Sequence, residues 1–193
     1  MSTQEYDTEN RLVKITDSDD STVAEYAYDA LGRRIRKIDS AASDTTLYYY
    51  NNHWQVVEEY DSGGTVKRKY LYGNYIDEVL YSWGASPSDP RTYYVHDHLY
   101  SPVALVNYAG TVVERYEAAC PDMFLVGNVY GKPTIYTAPG RDGTWLTSDD
   151  VVGEVSAQDN CYLFTGREVD VLDNARSKLQ YNRNQPARDS HLL

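Results

Sequence analysis

The feature that most constrains this chain is a repeated phrase. "YDALGRRIRKI" runs from Tyr28 to Ile38, and a weaker echo, "YDTENRLVKI", runs from Tyr6 to Ile15. A second phrase recurs as "STVAEYAYD" (Ser21 to Asp29), "GTVKRKYLYG" (Gly64 to Gly73) and "GTVVERYEAA" (Gly110 to Ala119). Each copy opens at a turn, continues through Thr-Val and charged residues, and reaches Tyr. In the first two copies a second Tyr follows two residues on, as Tyr26/Tyr28 and Tyr70/Tyr72. That spacing puts both rings on one face of a strand. In the third copy Ala118 stands where the second ring would be.

After Tyr-Asp, "ALG" supplies a tight turn in which Gly32 takes a positive φ without strain. "RRIRKI" then returns as an antiparallel strand, so each phrase encodes one hairpin. A lone hairpin is marginal in water, and the copies must therefore stack side by side. Strand signals bounded by Gly, Asp, Asn and Ser dominate the chain. A sustained helical period is absent, and the best helix candidate is a turn or two over Thr147 to Val152. The expected fold class is all-β, built from repeated antiparallel hairpins.

Composition narrows the function. The chain has 29 acidic against 18 basic side chains and a formal net charge of -11. That balance disfavours nucleic-acid partners, which need clustered cations on one face. The one basic cluster, Arg33, Arg34, Arg36 and Lys37, alternates with Ile35 and Ile38, and reads as the solvated face of an amphipathic strand. There are 20 Tyr but 2 Phe and 3 Trp. Tyr favours strands and keeps a polar tip, which predicts wide, half-exposed sheet surfaces. The polar start "MSTQEYDTENR" carries no secretory signal. No run reaches the roughly 18 apolar residues of a membrane-spanning helix, so a span is not expected and the compartment stays open.

At this point the phrases resemble those of the YD-repeat family, called Rhs proteins in bacteria, with relatives in animal teneurins. "YYVHDHLYSPVALVNYAGTVVERYE" (Tyr93 to Glu117) resembles the Tyr-x-x-Asp-His-Leu-Gly-Ser block that opens the Rhs-associated core. "YGKPTIY" (Tyr130 to Tyr136), "YLFTGREVD" (Tyr162 to Asp170) and "LQYNRN" (Leu179 to Asn184) resemble its later phrases. The resemblance implies a β-ribbon spiralling into a barrel-like shell that encloses or presents a C-terminal polymorphic toxin or effector. It divides the chain into YD-repeat hairpins over 1–92, a core-like region over 93–184 and a divergent tail over 185–193. Other Rhs segments, or such an effector, are the implied partners. A cell-surface adhesion or carbohydrate-binding module is the alternative.

Three departures from the family pattern stand out. Tyr100 replaces the Gly of "DHLGS"; a positive φ there costs a Tyr about 1 kcal/mol or more. "AACPDMFLVGNV" (Ala118 to Val129) intervenes where the family runs from Tyr-Glu-Tyr-Asp into Tyr-Gly. "QPARDSHLL" (Gln185 to Leu193) stands where an autoproteolytic aspartate pair is expected, so the resemblance implies a C-terminally truncated piece without self-cleavage machinery.

The residues that invite chemistry are few. His96 and His98 in "HDH" lie two apart, on one strand face, at a spacing that suits zinc, but no third ligand is identifiable from the sequence, and only the accident of folding would bring Cys120 near. Asp97 and His98 otherwise serve structural hydrogen bonds. His98 and Ser101 lack the elbow and the third member of a hydrolase triad. "GRDGTWLTSDD" (Gly140 to Asp150) has oxygen ligands around a glycine but no closing Glu, and reads as a polar turn with Asp149 or Asp150 capping a short helix. Trp54, Trp83 and Tyr48 to Tyr50 are candidates for stacking on a sugar, with cross-strand ladder packing as the simpler role. Cys120 and Cys161 are available to pair, but nothing in their spacing demands it. No catalytic, cofactor-binding or metal residue is assigned, and the expectation is a structural protein that is not an enzyme.

Overall fold

In the computed structural model the described residues are 3–86, 88–117, 134–163, 168–172 and 177–180. Strands β1 to β4 are Thr3–Tyr6, Leu12–Thr16, Thr22–Tyr28 and Arg34–Asp39. Strands β5 to β8 are Asp44–Tyr50, Val56–Tyr60, Val66–Tyr72 and Val79–Trp83. Strands β9 to β13 are Thr92–His96, Pro102–Val106, Val112–Glu117, Thr134–Ala138 and Val151–Gly153. These form one 13-stranded antiparallel sheet in strict chain order, not closed into a barrel. A separate hairpin pairs β14 (Val169–Leu172) with β15 (Ser177–Gln180). The all-β hairpin architecture is as the repeats predict.

One turn joins most of the strands, and it begins with Asp or Asn. The first residue's N–H donates to the carbonyl of the residue four on, and its side-chain oxygen accepts the N–H groups two and four residues on. This occurs at Asp7, Asp17, Asp29, Asn51, Asp61, Asp97 and Asn107. The fourth residue of each turn has a positive φ: Asn10, Asp20, Gly32, Trp54, Gly64, Tyr100 and Gly110. The strand register shifts by a residue beside each, as a left-handed residue after a tight turn produces a bulge. So the Asp of "YD" supplies the acceptor that two backbone donors would otherwise lack. Tyr100 does take the left-handed conformation, at φ 61°. Its ring stacks on Tyr75 with centroids 4.4 Å apart, which offsets part of the strain.

Two expectations fail. Thr147 to Val152 is not helical: Thr147 to Asp150 is a turn, and Val151–Gly153 is β13. Asp150 accepts the N–H groups of Gly140, Leu146 and Thr147, and Asp149 accepts that of Arg141. These bonds fold the segment back on itself and use the donors that a helix would need. The basic cluster is also only in part a solvated face: Arg36 is exposed, but Arg34 is not. Arg34 is 1% exposed, whereas Ile35 is 38% exposed. The reason lies across the sheet face, where Glu168 and Asp170 ion-pair with Arg34.

The core sits on one face of the sheet. One tyrosine per hairpin, Tyr26, Tyr48, Tyr70, Tyr94 and Tyr116, is buried there. The rings recur every ~22 residues, the length of two strands and their turns. Of the 18 described tyrosines, six are interior, eight half-buried and four exposed. The companion rings reach back one hairpin: the Tyr28 hydroxyl donates to the Leu12 carbonyl and that of Tyr50 to the Arg34 carbonyl, each at 2.8 Å. Arg11 and Arg33 stack on those same rings at 5.1 Å.

Candidate functional site

The tyrosine face is covered by the chain's own later residues. Asn160 to Leu163 and Glu168 to Leu172 run across the hairpins, back toward the first strands, and meet each tyrosine in turn. The Asn160 side chain accepts from the Tyr94 hydroxyl at 3.1 Å and donates to the Tyr116 oxygen at 2.9 Å. Cys161 Sγ lies 3.7 Å from the Tyr70 hydroxyl. The Tyr162 ring sits edge-on to Tyr70 at 5.1 Å, and its hydroxyl accepts from Tyr72 at 3.1 Å. Glu168 accepts from the Tyr48 hydroxyl at 2.9 Å. Leu172 packs with Leu12, Ile15, Val23, Ala24 and Tyr26. Burying aromatic rings while satisfying each hydroxyl requires a polar partner at every step. This crossing segment supplies them at Tyr48, Tyr70, Tyr94 and Tyr116, whereas the buried Tyr26 hydroxyl makes no hydrogen bond among the described residues.

Charge is concentrated at the Arg34 end. Arg34 is ion-paired with Glu168 at 2.6 Å and with Asp170, which is fully buried. Its guanidinium lies over the Tyr26 and Tyr48 rings at 5.4 and 4.9 Å. Lys37 reaches the other Asp170 oxygen at 3.0 Å. Burial opposes ionisation of Asp170, but Arg34 and Lys37 win and hold its carboxyl below the usual range. The same carboxylates keep Arg34 charged despite its burial. Such a cluster stabilises only when complete, because removing one member leaves the others desolvated and unmatched.

In the middle, Glu59 (8% exposed) projects from β6 toward Cys161 and Glu168. The ligand atoms of these three lie within 4.8 Å of one another. Glu59 accepts from the Tyr70 hydroxyl at 3.0 Å and has no ion-pair partner among the described residues. Burial, then the neighbouring Glu168 charge, pushes its carboxyl up to about 7. Burial and the same two carboxylates push the Cys161 thiol up as well. The three residues border a cleft of about 580 Å³ that Lys37, Lys67, Arg68 and Asp159 also line. Farther along, Glu114 is fully buried, accepts from Tyr116, and takes the Ala157 N–H at 2.7 Å.

The family model for the RHS repeat matches residues 6–45. That span covers β2 to β4 and their Asp-led turns. That span is similar to the RHS repeat. No curated protein matches the chain. Solved structures that it resembles include the TcdB2-TccC3-TEV crystal structure, at 13% identity and a TM-score of 0.37, over 96% of this chain and 11% of that one. The TcdB2-TccC3 and TcdB2-TccC3-Cdc42 crystal structures are similar at 13% and 14% identity, with TM-scores of 0.37 and 0.35. This chain spans about a tenth of the length of those chains, 11% to 12%.

The residues singled out in the sequence are dispersed by the fold. His96 ends β9, half-buried and ring-stacked on Tyr94 at 6.1 Å, while His98 is exposed inside the Asp97 turn. The turn starts between them, so they do not share a strand face. Burial holds the His96 imidazole below its usual pKa. Cys120 and Ala118 to Val129 lie outside the described residues. Asp97 and Ser101 close their turn through the Ser101 N–H and the Asp97 side chain, at 2.9 Å. The acidic side chains of Gly140 to Asp150 bond backbone N–H groups, and among the described residues they form no converging set of three ligands. Tyr48 and Tyr50 point inward, with hydroxyls bonded to Glu168 and Arg34. Tyr49 packs edge-on to Tyr60 at 4.9 Å, and Trp54 lies under Arg33 at 5.8 Å. Cross-strand packing is thus what these rings do. Glu59, Cys161, Glu168 and Asp170 carried no local signal, since only the crossing segment brings them together.

Proposed function

We propose that this chain is a structural wall element: a stretch of RHS sheet whose inner face is clasped by its own later residues, and which has no catalytic role. The observation that carries the reading is the bonding of successive hairpin tyrosines to Asn160, Cys161 and Glu168. Their hydroxyls and the buried carboxylates are taken up by contacts that hold sheet and segment together, which is what a rigid wall needs. The open order of the sheet, β1 through β13, suits an arc of a larger shell rather than a closed container. Enclosure or presentation of a C-terminal effector follows from that reading as the purpose of the wall.

Limited proteolysis of the native full-length protein tests it. An enclosed effector resists trypsin while the shell is folded, and is digested at the rate of an unfolded chain after mild denaturation. Equal digestion of shell and effector from the start would overturn the enclosure reading. A sugar-binding platform is not favoured, because Tyr48 and Tyr50 spend their hydroxyls inside while Trp54 and Tyr49 are engaged elsewhere.

A further inference from the structure

We propose that Glu59, Cys161 and Glu168 form a binding site for one thiophilic divalent cation, with Zn²⁺ the best fit, that pins the crossing segment to the sheet. One thiol and two carboxylates from three places in the chain present their ligand atoms within 4.8 Å of one another. Zinc bonds sulfur at about 2.3 Å and carboxylate oxygen at about 2.0–2.2 Å, so a tetrahedral site needs ligand separations of roughly 3.5 Å. The backbone under the ligands is already set. Tyr162 and Glu168 form an antiparallel bridge, the Val169 N–H donates to the Cys161 carbonyl at 2.7 Å, and Glu59 is held in β6.

The charges nearby point to a dication. Arg34 and Lys37 face Asp170 and Glu168, two cations against two anions. The third cation, Arg68, lies cross-strand from Glu59 and acts on it through space, while its guanidinium nitrogens go to the Gln158 carbonyl (3.2 Å) and Asp159 (3.7 Å). Glu59 remains, a buried carboxylate with no ion-pair partner among the described residues, beside a thiol. Ionised Glu59 and a Cys161 thiolate together carry two negative charges, which one divalent ion neutralises. On binding, a metal–sulfur bond replaces the S–H bond and the proton leaves to solvent through the adjoining cleft. Two oxygens and a thiolate, rather than oxygens alone, select zinc or cobalt over calcium and magnesium.

The test uses the full chain after chelator treatment and dialysis, titrated with Co²⁺ as a spectroscopic substitute for Zn²⁺. The expected result is a thiolate-to-cobalt charge-transfer band that saturates at about one ion per chain and is abolished by stoichiometric Zn²⁺. Cys161→Ser removes the band and Cys120→Ser keeps it. Glu59→Gln weakens binding by about tenfold or more, since even an outer-shell partner is worth 10- to 100-fold. Absence of the band in the wild-type chain overturns the proposal, as does its survival in Cys161→Ser. Near-UV circular dichroism checks that each variant is folded. Should Cys161→Ser lose its tyrosine signal, Glu59→Gln decides: unchanged affinity there overturns the site.

Discussion

At the residue scale, the fourth position of the Asp-led turn explains both a conserved chemistry within the chain and its exception. Gly32, Gly64 and Gly110 take positive φ with open space where a Cβ would stand. Any penalty for a side chain there is therefore conformational and not steric. Gly32→Ala is expected to destabilise the fold by about 1 kcal/mol, read as a lower urea midpoint with an unchanged slope. A midpoint shift near zero would mean that this turn relaxes to another geometry. Tyr100 occupies the same conformation and gains its stack on Tyr75 in return.

At the scale of the element, the turn depends on an acceptor rather than on a charge. Asn51 and Asn107 build the same turn as Asp7, Asp29 and Asp61. Asp61 is held below the usual carboxylate range mainly by the Thr65 N–H. In Asp7 and Asp29 burial acts in the opposite direction, but the Arg11 and Arg33 bonds prevail and the carboxyls are again lowered. A carboxyl lowered in the folded state adds stability above its unfolded pKa and loses it as pH falls through the folded value. Stability should therefore decline as pH is taken from about 4 to about 2. In the Asp29→Asn/Asp61→Asn double variant that decline should be shallower while the fold at neutral pH is kept. Identical urea midpoints for variant and wild type across that range would show that these turns carry none of the acid sensitivity.

For the whole molecule, the sheet and its crossing segment stand or fall together through Arg34. Arg34→Met removes the cation shared by Glu168 and Asp170 and leaves two desolvated carboxylates with Lys37 alone. The expected loss is about 3 kcal/mol or more. Amide exchange is expected to accelerate at Val169 to Leu172 more than in β6 or β7, because the segment is released first. Uniform acceleration throughout would show that the clasp is no separate unit.

The hairpins were legible in the residues because their causes are local. Tyr-x-Tyr sets the facing of the rings, Asp supplies the turn acceptor, and Gly32 permits the left-handed residue, all within a few positions. The same locality misled at Thr147 to Val152, where Asp149 and Asp150 drew the backbone into a turn. It misled again at Arg34, whose alternation with Ile35 says which residues share a face but not which face is buried. His96 and His98 looked paired because spacing shows nothing of where a strand ends. What the amino-acid order determined by itself was the repeat: strand, Asp-led turn and returning strand, with one tyrosine per hairpin. Which side of the ladder became the interior was decided only when Asn160 to Leu172 crossed it. Burial of Arg34, Glu59, Cys161 and Asp170 depends on contacts between residues a hundred or so positions apart, and no short-range pattern encodes those.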